Sequence, residues 1–308
     1  MRRSWFVLAG VISAGAYLAF ALARGGDFGW PLDDAWIHQV YARNLGQRGE
    51  FSFFAGQPSA GSTSPLWALL LSPGYWPGMD YRAWTVALGV LLLNGSAWLA
   101  GKMANRVGER LNPGVTAAHT ALWTMGLMLG EWHLVWASVS GMEVLLFIFL
   151  ELALIELFLA RANPIGLGAL AGLLTLTRPE GAVLGGLVVV GLIAQGWLGV
   201  EPGDNANFLR RARGALGEAA KFLVPLALLI APYLYFNLAA SGTIFPNTFY
   251  AKAEEYRALT SEPLVTRWLS LWLQPLTGAQ VLLVPGILFL FARVFRNKEA
   301  GGWKVGAG

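Results

Sequence analysis

Residues 5–23, WFVLAGVISAGAYLAFALA, contain no charged side chain, and they decide the class of fold. At about 1.5 Å per residue, a helix of this length covers roughly 28 Å, close to the roughly 30 Å of hydrocarbon in a bilayer. Arg2 and Arg3 precede the stretch, as in a secretory signal, but Arg24–Asp27 is not a small-residue cleavage site. We therefore expect a retained membrane anchor.

The composition of the whole chain points to the same class. Of its 308 residues, 56% are hydrophobic and 13% are charged, and the mean hydropathy is +0.52. Soluble domains carry about a quarter charged residues, so we expect an integral membrane protein in the lipid bilayer. The chain has no cysteine, which excludes disulfides, thiolate metal sites and cysteine-based catalysis. Its basic residues lie at the ends of apolar runs rather than on one stripe, so we expect no nucleic acid partner.

Apolar runs suited to membrane spans recur along the chain. We expect an all-α polytopic membrane protein with about eight transmembrane helices, near Trp5–Ala23, Trp84–Ala100, Val115–Val139, Val144–Ala160, Pro164–Leu176, Ala182–Leu198, Phe222–Ala239 and Val281–Phe295. Basic residues of short loops stay on the cytoplasmic side. With Arg2 and Arg3 inside, every basic loop cluster falls on that side. The sequence therefore predicts a multi-pass protein of the cytoplasmic (inner) membrane with both termini in the cytoplasm.

The polar residues then collect in outer segments. Pro65–Trp76 is apolar but only about 12 residues long, which is too short for an independent crossing. We expect a half-helix or interfacial segment there, inside a first outer loop over residues 24–82 that is partly helical. The predicted organisation is a seven-span module over residues 1–240, an outer loop over 241–278, and a last span with a cytoplasmic tail over 279–308.

Two adjacent carboxylates, Asp33 and Asp34, open the first outer loop. A single Asp before an apolar run commonly caps a helix. Two acids followed by His38 and Arg43 favour a functional site instead. Because neighbours on a helix are turned by about 100°, one acid is expected to be the working carboxylate and the other a supporter or cap.

Three further groups have alternative interpretations. The hydroxyls of Ser62 and Thr63 either bind a substrate or cap the helix that follows. Arg178 and Glu180 lie at a tight turn between apolar runs, where a charge needs a partner or a polar cavity. They form a structural pair, or else Arg178 binds a phosphate with its planar guanidinium.

Two other segments carry polar groups. Asn247, Tyr250 and Lys252 lie among aromatic residues suited to the headgroup level of the membrane, and an anchor alone would not need the amide. Glu156 is near the inner end of its span, where we expect it to snorkel beside Arg161.

Six short motifs resemble, in this order, those of the GT-C superfamily of polyprenyl-phosphate-sugar glycosyltransferases. The similarity is closest to the group that contains the mycobacterial terminal arabinofuranosyltransferase. The motifs are DDAWI at 33–37, YARNL at 41–45, GSTSPLW at 61–67, SGME at 140–143, LTRPEG at 176–181 and PNTFYAK at 246–252. The resemblance extends over about residues 27–255.

The resemblance implies a GT-C-like bundle with an acidic first outer loop and sugar transfer on the outer face of the membrane. A pentose or hexose would move, with inversion, from a polyprenyl-phosphate sugar donor to a glycan, lipid or protein acceptor of the cell envelope. Asp33 would be the general base with Asp34 raising its basicity, and Arg178 and Lys252 would hold the leaving phosphate. The remaining substrate-binding residues would be His38, Arg43, Ser62, Thr63, Glu143, Glu180, Asn247 and Tyr250.

Two questions stay open at the level of sequence. A divalent cation, Mg²⁺ or Ca²⁺, could be held by Asp33 and Asp34, but their spacing is no signature. The alternative function is a non-catalytic membrane protein that binds or translocates a lipid-linked sugar. Transporters tend to show paired halves with interrupted helices, whereas the two halves of this chain differ.

Overall fold

The chain folds almost entirely into α-helices, as expected where backbone polar groups must be satisfied within an apolar segment. The computed structural model describes residues 4–25, 28–111, 117–197, 205–257, 261–273, 281 and 284–299. Within these ranges the helices are α1 (Ser4–Gly25), α2 (Asp33–Arg48), α3 (Pro65–Leu71), α4 (Tyr81–Leu111), α5 (Ala117–Gly130), α6 (Trp132–Val139), α7 (Val144–Leu159), α8 (Pro164–Thr177), α9 (Gly181–Trp197), α10 (Asn205–Ser241), α11 (Asn247–Glu255), α12 (Leu264–Leu273) and α13 (Val284–Glu299).

The described residues divide into two compact units, one ending at Phe249 and one beginning at Tyr250. The first unit holds α1 to α10 and the site described below. The second contains the end of α11 and the helices α12 and α13. Parts of two predicted segments, residues 274–278 of the outer loop and the tail beyond residue 299, lie outside the described residues.

Among the residues that the structure describes, three helices are long and apolar enough to cross a membrane. Their qualifying segments are Trp5–Gly25 in α1, Tyr81–Glu109 in α4 and Arg210–Ser241 in α10. The helices α8 and α9 are apolar but shorter. These helices indicate a membrane protein, and the count of eight spans stays a prediction.

The run predicted as one span over 115–139 is divided in the structure. Helix α5 ends at Gly130, and α6 begins at Trp132. The carboxylate of Glu131 accepts the backbone N–H of Leu134 at 2.8 Å and so caps α6. Gly130 favours the end of α5, and the capping carboxylate of Glu131 favours the start of a new helix. The apolar run is therefore divided at this point.

The segment before α4 is built from short elements. Strands β1 (Ser52–Phe54) and β2 (Gln57–Pro58) form a small antiparallel sheet that the sequence did not predict. The seven-residue helix α3 follows, and then a 3-10 turn over Ser72–Tyr75. Ala42 and Leu71, from α2 and α3, belong to the main hydrophobic core with residues of α7, α8 and α10. The segment is therefore packed into the main core of the bundle. We call the end of the bundle where it lies the α2 end.

The expected position of Glu156 beside Arg161 is wrong. Glu156 is 1% exposed, and its Oε1 lies 3.1 Å from Lys102 Nζ and 2.6 Å from Arg106 Nη2, both on α4. A buried carboxylate needs such compensation, because an unpaired buried charge is strongly destabilising. The pairing joins α7 to α4 at the end of α7 far from residue 143.

Backbone contacts set the spacing of the helices. A Cβ atom added to Gly168 on α8 would lie 1.9 Å from the carbonyl oxygen of Phe222 on α10, so the site accepts no side chain. Gly166, two residues earlier on the same helix, has no such neighbour within 4 Å. Small residues at helix contacts are what membrane bundles use to bring backbones together.

We expect Gly168→Ala to lower the free energy of unfolding by about 1–3 kcal/mol, because α8 and α10 must separate to admit the methyl group. Gly166→Ala is the matched control, and it should be neutral or slightly stabilising, since Ala favours a helix over Gly. Thermal unfolding of both variants in detergent would measure the difference. Equal midpoints for the two would show that the helices do not pack through Gly168.

Candidate functional site

A buried carboxylate lies at the centre of a charged cluster at the α2 end. Glu143, which is 5% exposed, stands between α6 and α7. Its Oε2 lies 3.0 Å from His38 Nε2 on α2, and its Oε1 accepts from Arg178 Nη1 at 3.2 Å. Arg178, directly after α8, also donates through Nη2 to Glu180 Oε1 at 3.2 Å. Three segments that are far apart in the sequence therefore meet through one carboxylate.

The position of Glu143 is fixed by the turn before it. Gly141 has φ +77°, a left-handed conformation that favours glycine, and a Cβ there would lie 2.8 Å from the ring of Trp30. The indole N–H of Trp67 on α3 donates to the carbonyl of Gly141 at 2.9 Å. Two tryptophans thus hold the turn, and through it the start of α7.

His38 is held by the packing of α2. The helix presses Ala35 and Ala42, both fully buried, against its neighbours, and His38 itself is 3% exposed. Gln39 donates to Thr85 Oγ1 on α4 at 3.0 Å, which fixes the rotation of α2. Because an ionised carboxylate only accepts, His38 donates from Nε2 to Glu143. Its Nδ1 is buried and has no hydrogen-bond partner among the described residues.

The charges of the cluster stabilise one another. Burial alone would raise the pKa of Glu143, but the hydrogen bond and charge of His38, with the charge of Arg178, outweigh it and hold that pKa below its usual range. Burial would lower the pKa of Arg178. The bonded Glu180 and the charges of Glu143 and Asp34 outweigh that effect and raise it. Both groups are therefore ionised at neutral pH.

The two adjacent acids have different surroundings, as expected for neighbours on a helix. Asp33 is exposed, and its Oδ1 accepts the backbone N–H of Asp34 at 2.9 Å. Asp34 is half-buried, and its charge acts on Arg178. It also stands one helical turn before His38, on the same face of α2. Asp34 is thus the acid on the side of the cluster.

Some predicted residues lie away from the cluster. Arg43 is exposed, and its charge acts on Tyr75. Ser62 is buried; its hydroxyl accepts from the N–H of Ser64 at 3.3 Å, and its carbonyl accepts from Tyr233. Thr63 beside it is half-buried. The hydroxyl of Ser62 therefore serves the turn before α3.

The last motif is divided between the two units. Asn247 is exposed, and its backbone N–H donates to the carbonyl of Ala60 at 2.7 Å. Tyr250 and Lys252 belong to the second unit. Their part in the site stays a prediction.

Tyr41 and Asn44 belong to the motif at 41–45 but were assigned no role from the sequence, and both shape the segment between α2 and α3. The Tyr41 hydroxyl accepts the N–H of Gly61 at 2.9 Å and lies 2.8 Å from Ser59 Oγ. Asn44 donates its amide to the carbonyl of Ser52 at 2.9 Å. The signal was their spacing, since Tyr41 and Asn44 follow His38 at intervals of three on one face of α2.

The divalent cation suggested for Asp33 and Asp34 stays a prediction. Within the described ranges no group of three or more His, Asp or Glu side chains is placed to hold a metal ion. Asp33 is exposed and Asp34 is half-buried, so the two carboxylates have different surroundings. We therefore derive no step through Mg²⁺ or Ca²⁺.

The arrangement places a cation, Arg178, and a carboxylate, Asp34, where both can act on one ligand. Arg178 has five N–H donors, and two of them meet Glu143 and Glu180. Its side chain is 40% exposed, so an anion can also reach it from outside. Asp34 supplies a carboxylate to the same region.

Glu143→Gln should lower the free energy of unfolding by about 1–3 kcal/mol, because it leaves the half-buried charge of Arg178 without its inner partner. Glu180→Gln is the control. Glu180 is 62% exposed, so its loss should change stability by less than about 1 kcal/mol. Chemical unfolding in micelles measures both. Equal effects would mean that Glu143 does not organise the cluster.

The same pair of variants gives a pH test. The folded pKa of Glu143 is lowered, so its ionisation contributes stability above the unfolded value, about 4.3, and the contribution disappears as pH falls through the folded value. The stability gap between wild type and Glu143→Gln should therefore hold down to about pH 5, begin to narrow near the unfolded value and close as pH falls through the lowered folded value. A gap that persists at lower pH would contradict an ionised Glu143.

Comparison with known proteins assigns the chain to no family. No protein-family model, no curated protein and no solved structure matches it. The resemblance to GT-C glycosyltransferases therefore rests on the six short sequence motifs alone.

Proposed function

We propose that the chain is a GT-C-type membrane glycosyltransferase of the cytoplasmic membrane. It would carry about eight spans, with both termini in the cytoplasm and the α2 end at the outer face. It would move a pentose or hexose from a polyprenyl monophosphate to a glycan, lipid or protein acceptor of the cell envelope.

One observation carries this proposal, the joint placement of Asp34 and Arg178. Transfer from a lipid-linked monophosphosugar needs a carboxylate to take the proton of the acceptor hydroxyl and a cation for the phosphate that leaves. Asp34 is half-buried and lies close enough for its charge to raise the pKa of Arg178. An exposed surface pair would do neither task well, because water screens it.

The mechanism is a single displacement with inversion. The carboxylate accepts the proton of the acceptor hydroxyl while the oxygen attacks the anomeric carbon. The bond to the phosphate oxygen breaks, and Arg178 stabilises the charge that develops there. Glu143 and His38 are positioning residues, since their bonds hold Arg178 and α2 in register. Lys252 is a second candidate for the phosphate, from the sequence motif.

A second function has one observation in its favour. Both terminal nitrogens of Arg178 already meet carboxylates, as in a structural ion pair. A non-catalytic protein that binds or translocates a lipid-linked sugar would show the same arrangement. Activity and donor binding, measured on the same variants, separate the two functions.

Asp34→Asn should leave donor binding intact and reduce transfer a hundredfold or more, the usual scale for a general base. Asp33→Asn is the matched control, since Asp33 is exposed and bonds to backbone. Transfer of radiolabelled sugar from a polyprenyl phosphate measures both. If Asp33→Asn is the inactive variant, the base is Asp33 as the motif predicts; full turnover by both variants would refute the mechanism.

Arg178→Lys should weaken binding of the polyprenyl-phosphate sugar by about 1–3 kcal/mol despite keeping the charge, because Lys lacks the planar fork. Glu180→Gln should preserve or strengthen binding, since it removes a carboxylate that competes with the phosphate. Binding is compared with that of the same lipid lacking phosphate. A wild type without preference for the phosphorylated lipid would place the donor elsewhere and leave Arg178 in a structural role.

A further inference from the structure

An apolar groove runs between α1 and α4 and ends at a cation. Val11 and Leu18 line the wall from α1, and Val86 and Leu91 line the wall from α4. The volume of the groove is about 600 Å³. Arg82, in the first turn of α4, stands at its end. Because Thr85 bonds to α2, this is the α2 end of the bundle.

Aromatic rings hold Arg82 at the rim of the groove. Its guanidinium carbon lies 5.6 Å from the ring centroid of Phe28 and 5.5 Å from that of Tyr81, and its Nε donates to the Tyr81 hydroxyl at 3.0 Å. The neighbouring Asp80 accepts the backbone N–H groups of Arg82 and Ala83 at 2.8 and 3.0 Å, and so caps α4. The side chain of Arg82 is exposed.

The depth of the groove matches one leaflet of a bilayer. From Arg82 to Leu91 the helix rises by roughly 13 Å, and half of the hydrocarbon core is about 15 Å. Beside the groove, most residues of α1 are not buried in the protein, so their side chains are available to an acyl chain. An acyl chain from one leaflet would fill the space, and a phosphate above it would meet Arg82.

We propose that this groove binds a membrane phospholipid, its acyl chain between α1 and α4 and its phosphate against Arg82. The apolar walls select a lipid over free phosphate, and the cation selects a phospholipid over a neutral lipid. The lipid fastens α1 to the bundle. This inference does not depend on the proposed glycosyltransferase activity.

The test is lipid binding to the detergent-purified chain, measured by native mass spectrometry with phosphatidylglycerol, with diacylglycerol of the same acyl chains, and with inorganic phosphate. Wild type should bind phosphatidylglycerol at least tenfold more tightly than diacylglycerol. Arg82→Gln should abolish that preference. Ala87→Phe, which fills the groove, should weaken binding of both lipids tenfold.

Two control variants match these changes. Arg48→Gln removes an exposed charge at the end of α2, and Val183→Phe enlarges an exposed apolar side chain on α9. Both should bind like wild type. If Ala87→Phe fails to fold, Arg82→Gln alone tests the proposal. The side chain of Arg82 is exposed, so its replacement should not impair folding. Unchanged lipid preference in Arg82→Gln, or competition by inorganic phosphate at equal concentration, would overturn the proposal.

Discussion

The buried carboxylate of Glu143 is the constraint on which the α2 end depends. A charge taken out of water is tolerated only where partners and hydrogen bonds compensate it. Those partners are His38 and Arg178, so α2, the start of α7 and the end of α8 must meet at one point. Displacement of α2 or of the end of α8 would take one of these two partners away from the buried carboxylate. Charge compensation therefore holds the segments of the α2 end together, whereas apolar packing holds the helices together in the middle of the bundle.

A second charged centre stands near the other end of α7. Glu156 is compensated by Lys102 and Arg106 of α4, just as Glu143 is compensated by α2 and α8. Rotation of a long apolar helix about its own axis changes its packing energy little when all its faces are apolar. Polar groups near both ends remove that freedom. The two acids thus fix which face of α7 points to which neighbour.

The sequence predicted what depends on local pattern. Apolar runs marked the helices, and the length of Pro65–Trp76 marked a short element before α4. The sequence pointed to His38, Glu143 and Arg178, which the structure brings together, and also to Arg43, which lies outside the cluster. What the pattern could not give is pairing across the bundle. The partners of Glu156 come from another helix, and periodicity within one helix carries no information about them.

Much of the segment between α2 and α4 is held by side chains that donate to main-chain carbonyls. Asn44 binds the carbonyl of Ser52, Trp67 that of Gly141, and Trp84 that of Leu70. Every residue type offers a carbonyl, so Ser52 and Leu70 can change identity without loss of the bond, whereas Gly141 is fixed by its left-handed backbone and its contact with Trp30. The donors cannot change in this way. Substitutions at the donor side chains should therefore disturb this segment more than substitutions at Ser52 or Leu70, whose contribution to these bonds comes from the main chain.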